Sequence, residues 1–171
     1  MNIHSFAPIE VLHARILILG SMPGVESLRK GEYYAHPRNL FWRMLGTLCE
    51  FNPELPYADR VAALGTAKIS VWDVLQSCTR NGSLDTAIEK SSIVPNEFNA
   101  FFMRQSNITH VFFNGSAAES IYRSKVLPDL ASHQIQYMRL PSSSPAHASM
   151  SFDEKLAVWR AILLIAAKDA G

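Results

Sequence analysis

Apolar runs of strand length recur along the chain, separated by stretches whose apolar positions fall at helical spacing. Arg15–Leu19 leads into a Gly/Pro loop, and Ile69–Val74 is a second β-rich run. His110–Phe113 closes on Asn114-Gly115, and Ile135–Leu140 closes on Pro141. Short runs of β-branched and aromatic residues of this kind suit parallel strands covered on both faces. Between them, Leu40–Leu48 reads as a helix with Asn39 as its N-cap, Pro56–Leu64 as a short helix, and Pro95–Arg104 as a helix carrying Phe98, Phe101 and Phe102. Ser116–Val126 starts on Ser116 with Glu119 three residues on, a capping-box pattern, and Ser151–Ala167 repeats it with Ser151 and Glu154. Strands alternating with helices predict an α/β domain around a mainly parallel sheet. No internal repeat or long linker divides the chain, so one domain over 1–171 is expected.

Composition narrows the class. With 171 residues, 48% of them hydrophobic and 18% charged, the chain can bury a sizeable core without a metal or disulfide staple. A net charge of +1 argues against coating nucleic acid nonspecifically, because such binding needs many phosphate contacts. A local basic groove is still allowed: residues 51–120 hold 5 basic and 7 acidic residues, and the surplus lies in the remaining segments. The two cysteines, Cys49 and Cys78, form no CxxC pair and have no His at ligand spacing, which argues against a zinc site or iron–sulfur cluster. Two free thiols and the lack of a signal-like or membrane-spanning stretch lead to the expectation of a cytoplasmic protein with no membrane partner.

Ligands of open α/β sheets bind outside the carboxyl ends of the strands, so the loops there are the candidates. Gly20-Ser21-Met22-Pro23-Gly24 is a tight turn whose backbone N–H groups can approach a polar edge; it is neither a P-loop nor a GxGxxG turn. Tyr33–Trp42 packs Tyr33, Tyr34, His36, Arg38 and Asn39 beside Phe41 and Trp42, which read as core. Tyr suits base stacking, Arg a phosphate, and Asn an amide edge or a water. Asn114 stands at a strand end, where an amide can read a heterocycle or simply serve a turn. Ser142, Ser143 and Ser144 lie between prolines, a short hydroxyl loop suited to phosphates. His147 follows.

In this order, these segments resemble the uracil-DNA glycosylase superfamily, and within it the mismatch-specific and hypoxanthine-DNA glycosylase branch. The resemblance spans about Ile16 to Ala146, and Trp72–Ile88 is also similar to the hypoxanthine-type members. It implies a three-layer α/β/α sandwich around a four-stranded, mainly parallel sheet. It implies further that Gly20, Ser21, Met22, Pro23 and Gly24 line the base pocket, that Tyr34 stacks on the flipped base and that Asn114 reads its edge. Ser142, Ser143, Ser144, Arg38 and His147 would then meet the DNA backbone. Uracil-excising members carry an Asp at the third loop position and mismatch-specific ones an Asn, where this chain has Met22. The hypoxanthine-type branch places the water-orienting amide on the residue matching Asn39. Leu140 stands where uracil-excising members carry a His that stabilises the leaving base.

The activity so implied is monofunctional removal of a deaminated base, hypoxanthine or uracil, including uracil opposite guanine, from double- or single-stranded DNA. A monomer without cofactor or metal is expected. Two other readings stay open on the residues: a nucleotide-binding α/β protein, and a catalytically silent module that binds lesions, which Met22 keeps alive.

Overall fold

The computed structural model describes residues 1–131 and 134–166. Its strands are β1 (Asn2–His4), β2 (Ile16–Gly20), β3 (Ile69–Asp73), β4 (Leu75–Thr79), β5 (Val94–Pro95), β6 (His110–Asn114) and β7 (Gln136–Leu140). Its α-helices are α1 (Val25–Lys30), α2 (Phe41–Cys49), α3 (Tyr57–Ala67), α4 (Phe98–Arg104), α5 (Ser116–Lys125), α6 (Phe152–Trp159) and α7 (Ala161–Ala166).

The four expected runs form one parallel sheet in the order β3-β2-β6-β7. Every residue of the two strands β2 and β3 is buried, which is why their sequences show no polar alternation. The edge strand β7 is largely exposed until Leu140. From β2 the chain steps to β3 on one side, then crosses back through α4 to β6 and continues through α5 to β7. Right-handed crossovers put α4 and α5 on one face and α1 to α3 on the other. Packing agrees: Phe98 of α4 meets Tyr122 of α5, while Phe41 of α2 meets Trp159 of α6 on the opposite face. The result is the three-layer α/β/α sandwich. The connections leaving β2 and β6 step across the sheet in opposite directions, so the carboxyl ends of these two parallel strands form the switch-point crevice where such sheets bind ligands.

Several local expectations change. A second, antiparallel sheet, β1-β4-β5, flanks the first; its short strands carry no apolar run that would announce them. Helix α1 follows the glycine loop directly, closed by Gly31 in the left-handed conformation at φ 68°. The capping box expected at Ser116 does not form. Gly115 takes the cap position at φ 97° and Ser116 is already helical, while Glu119 pairs with Arg123 and Arg139. The box at Ser151 does form, with Glu154 N–H donating to the Ser151 hydroxyl and Ser151 N–H to the Glu154 carboxylate. The long helix expected there is divided at Arg160 into α6 and α7, and its last expected position, Ala167, lies outside the described residues. Asn39 does not hold the cap position of α2, which Leu40 occupies in helical conformation. Its Oδ1 still accepts from Phe41 N–H at 3.0 Å.

Candidate active site

The glycine loop leaves the end of β2 and is clasped by the segment that follows β4. Ser21 donates its hydroxyl to Asp85 at 2.6 Å, and Val25 N–H donates to the Ser83 hydroxyl at 2.9 Å. Arg80, 2% exposed, donates to the Pro23 carbonyl and, at 2.9 Å, to that of Gly82. Val74 and Leu75 N–H groups donate to the carbonyls of Gly20 and Ser21, and Leu28 N–H to that of Gly24. Four carbonyls of the loop thus face the protein, which turns a flexible composition into a rigid rim. Met22 packs with Leu75 and Cys78 in a small apolar cluster and brings no polar group to the site.

Tyr33 is anchored in the core while also lining the pocket: it is 4% exposed, its hydroxyl donates to the Ala7 carbonyl, and its carbonyl receives the Trp42 indole N–H at 2.8 Å. Tyr34, next in the chain, lies in the left-handed region at φ 56°, a conformation uncommon outside glycine. The Tyr34 ring stacks on Phe41, centroids 3.9 Å apart and planes 19° from parallel. Its buried hydroxyl lies beside the Asn114 amide but makes no hydrogen bond of good geometry. Burial, reinforced by Asp73, pushes the phenol up from its ordinary value, with the Asn114 amide opposing. His36 Nδ1 accepts from Arg38 N–H, and its carbonyl accepts from Asn39 N–H at 2.9 Å.

Asn114 and Ser143 form a latch between β6 and the serine loop. Asn114 Nδ2 donates to the Ser143 hydroxyl and Asn114 Oδ1 accepts from Ser143 N–H, both at 2.8 Å. Ser143 is fully buried, and its carbonyl receives Leu40 N–H, tying this loop to the start of α2. One N–H and one lone pair of the Asn114 amide are left for a ligand. The Ser142 and Ser144 oxygens each accept a backbone N–H, from Ser144 and Ala146, so both hydroxyl protons remain available. Gly115 is required where the loops cross: a Cβ there would stand 3.1 Å from that of Ser142, at a φ that disfavours any side chain.

At the end of β3 lies a residue the sequence did not single out. Asp73 is 3% exposed, yet its Oδ2 has no hydrogen-bond partner. Leaving a buried polar group unpaired costs about 1–3 kcal/mol. Burial, with Asp85 nearby, pushes the Asp73 carboxyl up to about 7, with Arg80 opposing. Gly20 makes room for it: a Cβ there would fall 2.6 Å from Asp73 Oδ1 and 2.9 Å from the Tyr34 hydroxyl. A lone Asp at a strand end has no spacing signature, so only the third dimension reveals it.

These elements enclose a cavity of about 140 Å³ lined by the whole glycine loop together with Tyr34, His36, Asn39, Asp73, Asn114 and the three serines. That is room for one planar heterocycle, well below the several hundred Å³ of drug-sized sites. Arg38 is exposed and outside the lining. His147 faces a neighbouring cavity shared with Ser116, Arg139 and Ser142, and its carbonyl accepts from the buried Lys155 ammonium at 2.6 Å. Of the residues singled out in the sequence, the structure thus gathers the glycine loop, Tyr34, Asn39, Asn114 and Ser142–Ser144 around one pocket. It sets Arg38 and His147 apart from them.

Comparison with known proteins gives the same assignment from an independent direction. The family model of the Uracil DNA glycosylase superfamily matches residues 8–163. A hypoxanthine DNA glycosylase of Methanosarcina barkeri is 40% identical over 116 residues, 67% of this chain and 72% of that protein. One of Methanosarcina acetivorans is 32% identical over 151 residues, 88% of this chain and 90% of the other. The solution NMR structure of a Methanosarcina acetivorans protein described as a candidate uracil DNA glycosylase superposes with a TM-score of 0.78 at 30% identity, covering 95% of this chain and 99% of that one. A switch-point pocket of nucleobase size, framed by loops in the family's order and matched over nearly the whole chain, establishes that this protein belongs to the uracil DNA glycosylase superfamily.

Proposed function

We propose that the chain is a monofunctional DNA glycosylase that hydrolyses the N-glycosidic bond of a flipped deaminated base. Hypoxanthine is the leading substrate and uracil, including uracil opposite guanine, the second. The observation that carries this reading is the pocket itself, one base in size, with an asparagine at its wall and, among the described residues lining it, no lysine. An amine nucleophile is what a lyase step needs; an amide wall suits attack by water. The names of the two relatives support hypoxanthine.

A base inside the duplex is out of reach, so it is extruded at a cost of a few kcal/mol, least for a mispaired base. Phe41 covers one face of Tyr34, and the other face returns part of that cost by stacking, about 1–3 kcal/mol per base. With four of its carbonyls turned inward, the glycine loop offers its N–H groups to the charge that develops on the departing base. Asn39 is no base. Its Oδ1, held by Phe41 N–H, has a second lone pair to hold a water against the oxocarbenium-like sugar, a positioning effect. The hydroxyls of Ser142 and Ser144 grip backbone phosphates, with Arg38 and His147 farther along the strand. The enzyme acts as a monomer.

Labelled duplexes carrying hypoxanthine or uracil opposite each base, incubated with the protein and then treated with alkali, test this. Strand cleavage at the lesion is expected, strongest with hypoxanthine. Intact strands with every substrate would refute the activity, and full activity in Asn39→Ala would refute the assignment of that residue.

A further inference from the structure

The reaction leaves negative charge on the departing base, and the position where uracil-excising relatives carry a His for that charge is the apolar, fully buried Leu140. The pocket holds another group suited to the task. Asp73 lines it, is 3% exposed, and keeps Oδ2 without a partner. The other carboxyl oxygen, Oδ1, and the Tyr34 hydroxyl, whose own oxygen makes no well-formed hydrogen bond, converge on Gly20, 2.6 and 2.9 Å from where a Cβ would stand. Two orphaned polar groups side by side in a pocket are a built site for a ligand's hydrogen-bonding edge. The surroundings hold the carboxyl neutral enough to donate. Burial disfavours its charge first, and Asp85 adds to that, while the neighbouring phenols Tyr33 and Tyr34, themselves pushed up by burial, stay protonated and uncharged. The Arg80 guanidinium is the opposing cation and is itself engaged by two backbone carbonyls.

We propose that Asp73 is the acid of the reaction, donating its carboxyl proton to the ring carbonyl oxygen of a 6-oxopurine as the glycosidic bond breaks. The inference rests on the glycosylase reading above and names the group that reading lacks. As the C1′–N9 bond breaks, its electron pair passes into the ring and onto O6, where the Asp73 proton meets it. The water held at C1′ supplies the hydroxyl of the abasic sugar, and its released proton restores the Asp73 carboxyl. An exocyclic amino group in place of O6 already carries hydrogens and cannot take the proton in this way, so the same contact favours deaminated bases over adenine.

Single-turnover excision from a duplex carrying hypoxanthine opposite thymine, followed from pH 5 to 9 for the wild type, Asp73→Asn and Asp73→Leu, decides the matter. Folding of each variant is checked by circular dichroism, and its binding to the same duplex is measured. The wild-type rate is expected to fall about tenfold per pH unit once Asp73 ionises, near pH 7. Asp73→Asn, which keeps a donor but has no proton to give, should lose that alkaline limb. At pH 6 it should be roughly 10²–10³-fold slower while still binding the lesion. Asp73→Leu should be slower still. An Asp73→Asn enzyme within threefold of wild type at pH 6, or one that keeps the alkaline fall, would overturn the inference and leave the glycosylase reading standing. A wild type that releases no hypoxanthine at any pH would overturn both.

Discussion

At pH 8 the folded protein has to hold a carboxylate, Asp73, where water scarcely reaches and no donor meets Oδ2. In the unfolded chain that group titrates near 3.8, and in the folded protein it is raised to about 7. Between those values the native state binds one more proton than the unfolded state, so stability falls as pH rises through the window and the penalty is complete above it. Asp73→Asn should therefore be more stable than the wild type at pH 8 by an amount on the order of 4 kcal/mol, and melt correspondingly higher, with little difference at pH 4. Thermal unfolding at the two pH values checks this, and an equal difference at both would contradict it. A stabilising substitution that destroys activity is what a functional site under strain predicts. Tyr34, Asn39 and Asn114 were legible because each belongs to a segment whose residue order carries meaning. Asp73 was not, and Ser143 looked interchangeable with its two neighbours, although burial makes it a latch and leaves them, half-buried, with hydroxyl protons free to donate.

One element governs the site more than any other: the glycine loop, whose shape depends on the distant segment Arg80–Asp85. Arg80→Met keeps the bulk and removes the donors to Pro23 and Gly82. The loss should be about 1–3 kcal/mol of stability, with activity falling further because the loop's N–H groups lose their aim; denaturant unfolding and excision rates measure the two separately. Gly20→Ala is a sharper probe. Its methyl would meet Asp73 and Tyr34 at under 3 Å, so overpacking of about 1–3 kcal/mol is expected together with loss of lesion binding. Wild-type affinity in the Gly20→Ala variant would mean that the floor of the pocket lies elsewhere. Strands β2, β3 and β6 were legible from nearly continuous apolar runs that a sheet covered on both faces explains, and the exposed edge strand β7 from a β-rich run closing on Pro141. The small sheet was not, since its strands β1 and β5 span three and two residues. The capping pattern at Ser116 misled because the positive-φ glycine before it takes the cap, a choice made by the crossing of two loops rather than by the local sequence.

For the molecule as a whole, the net charge of +1 now has a structural counterpart. The groups lining the pocket are backbone amides, hydroxyls, side-chain amides, the His36 imidazole and the carboxyls of Glu26, Asp73 and Asp85, with no Lys or Arg among the described lining residues, so recognition does not rest on a cationic surface. Undamaged duplex should bind weakly, with a shallow salt dependence of about two to four released counterions in a plot of log K against log salt. A slope near ten would contradict this and point to an extended basic face. Among the described residues no helix is long and apolar enough to cross a membrane. The central claim, that this pocket cuts the bond between sugar and a deaminated base, is tested most directly by detecting the product. Mass spectrometry of the small-molecule fraction, after incubation with a duplex carrying hypoxanthine opposite thymine, should show free hypoxanthine in equal amount to new abasic sites, and neither with Asn39→Ala. Tight binding of that duplex by the wild type with no free base released would contradict it.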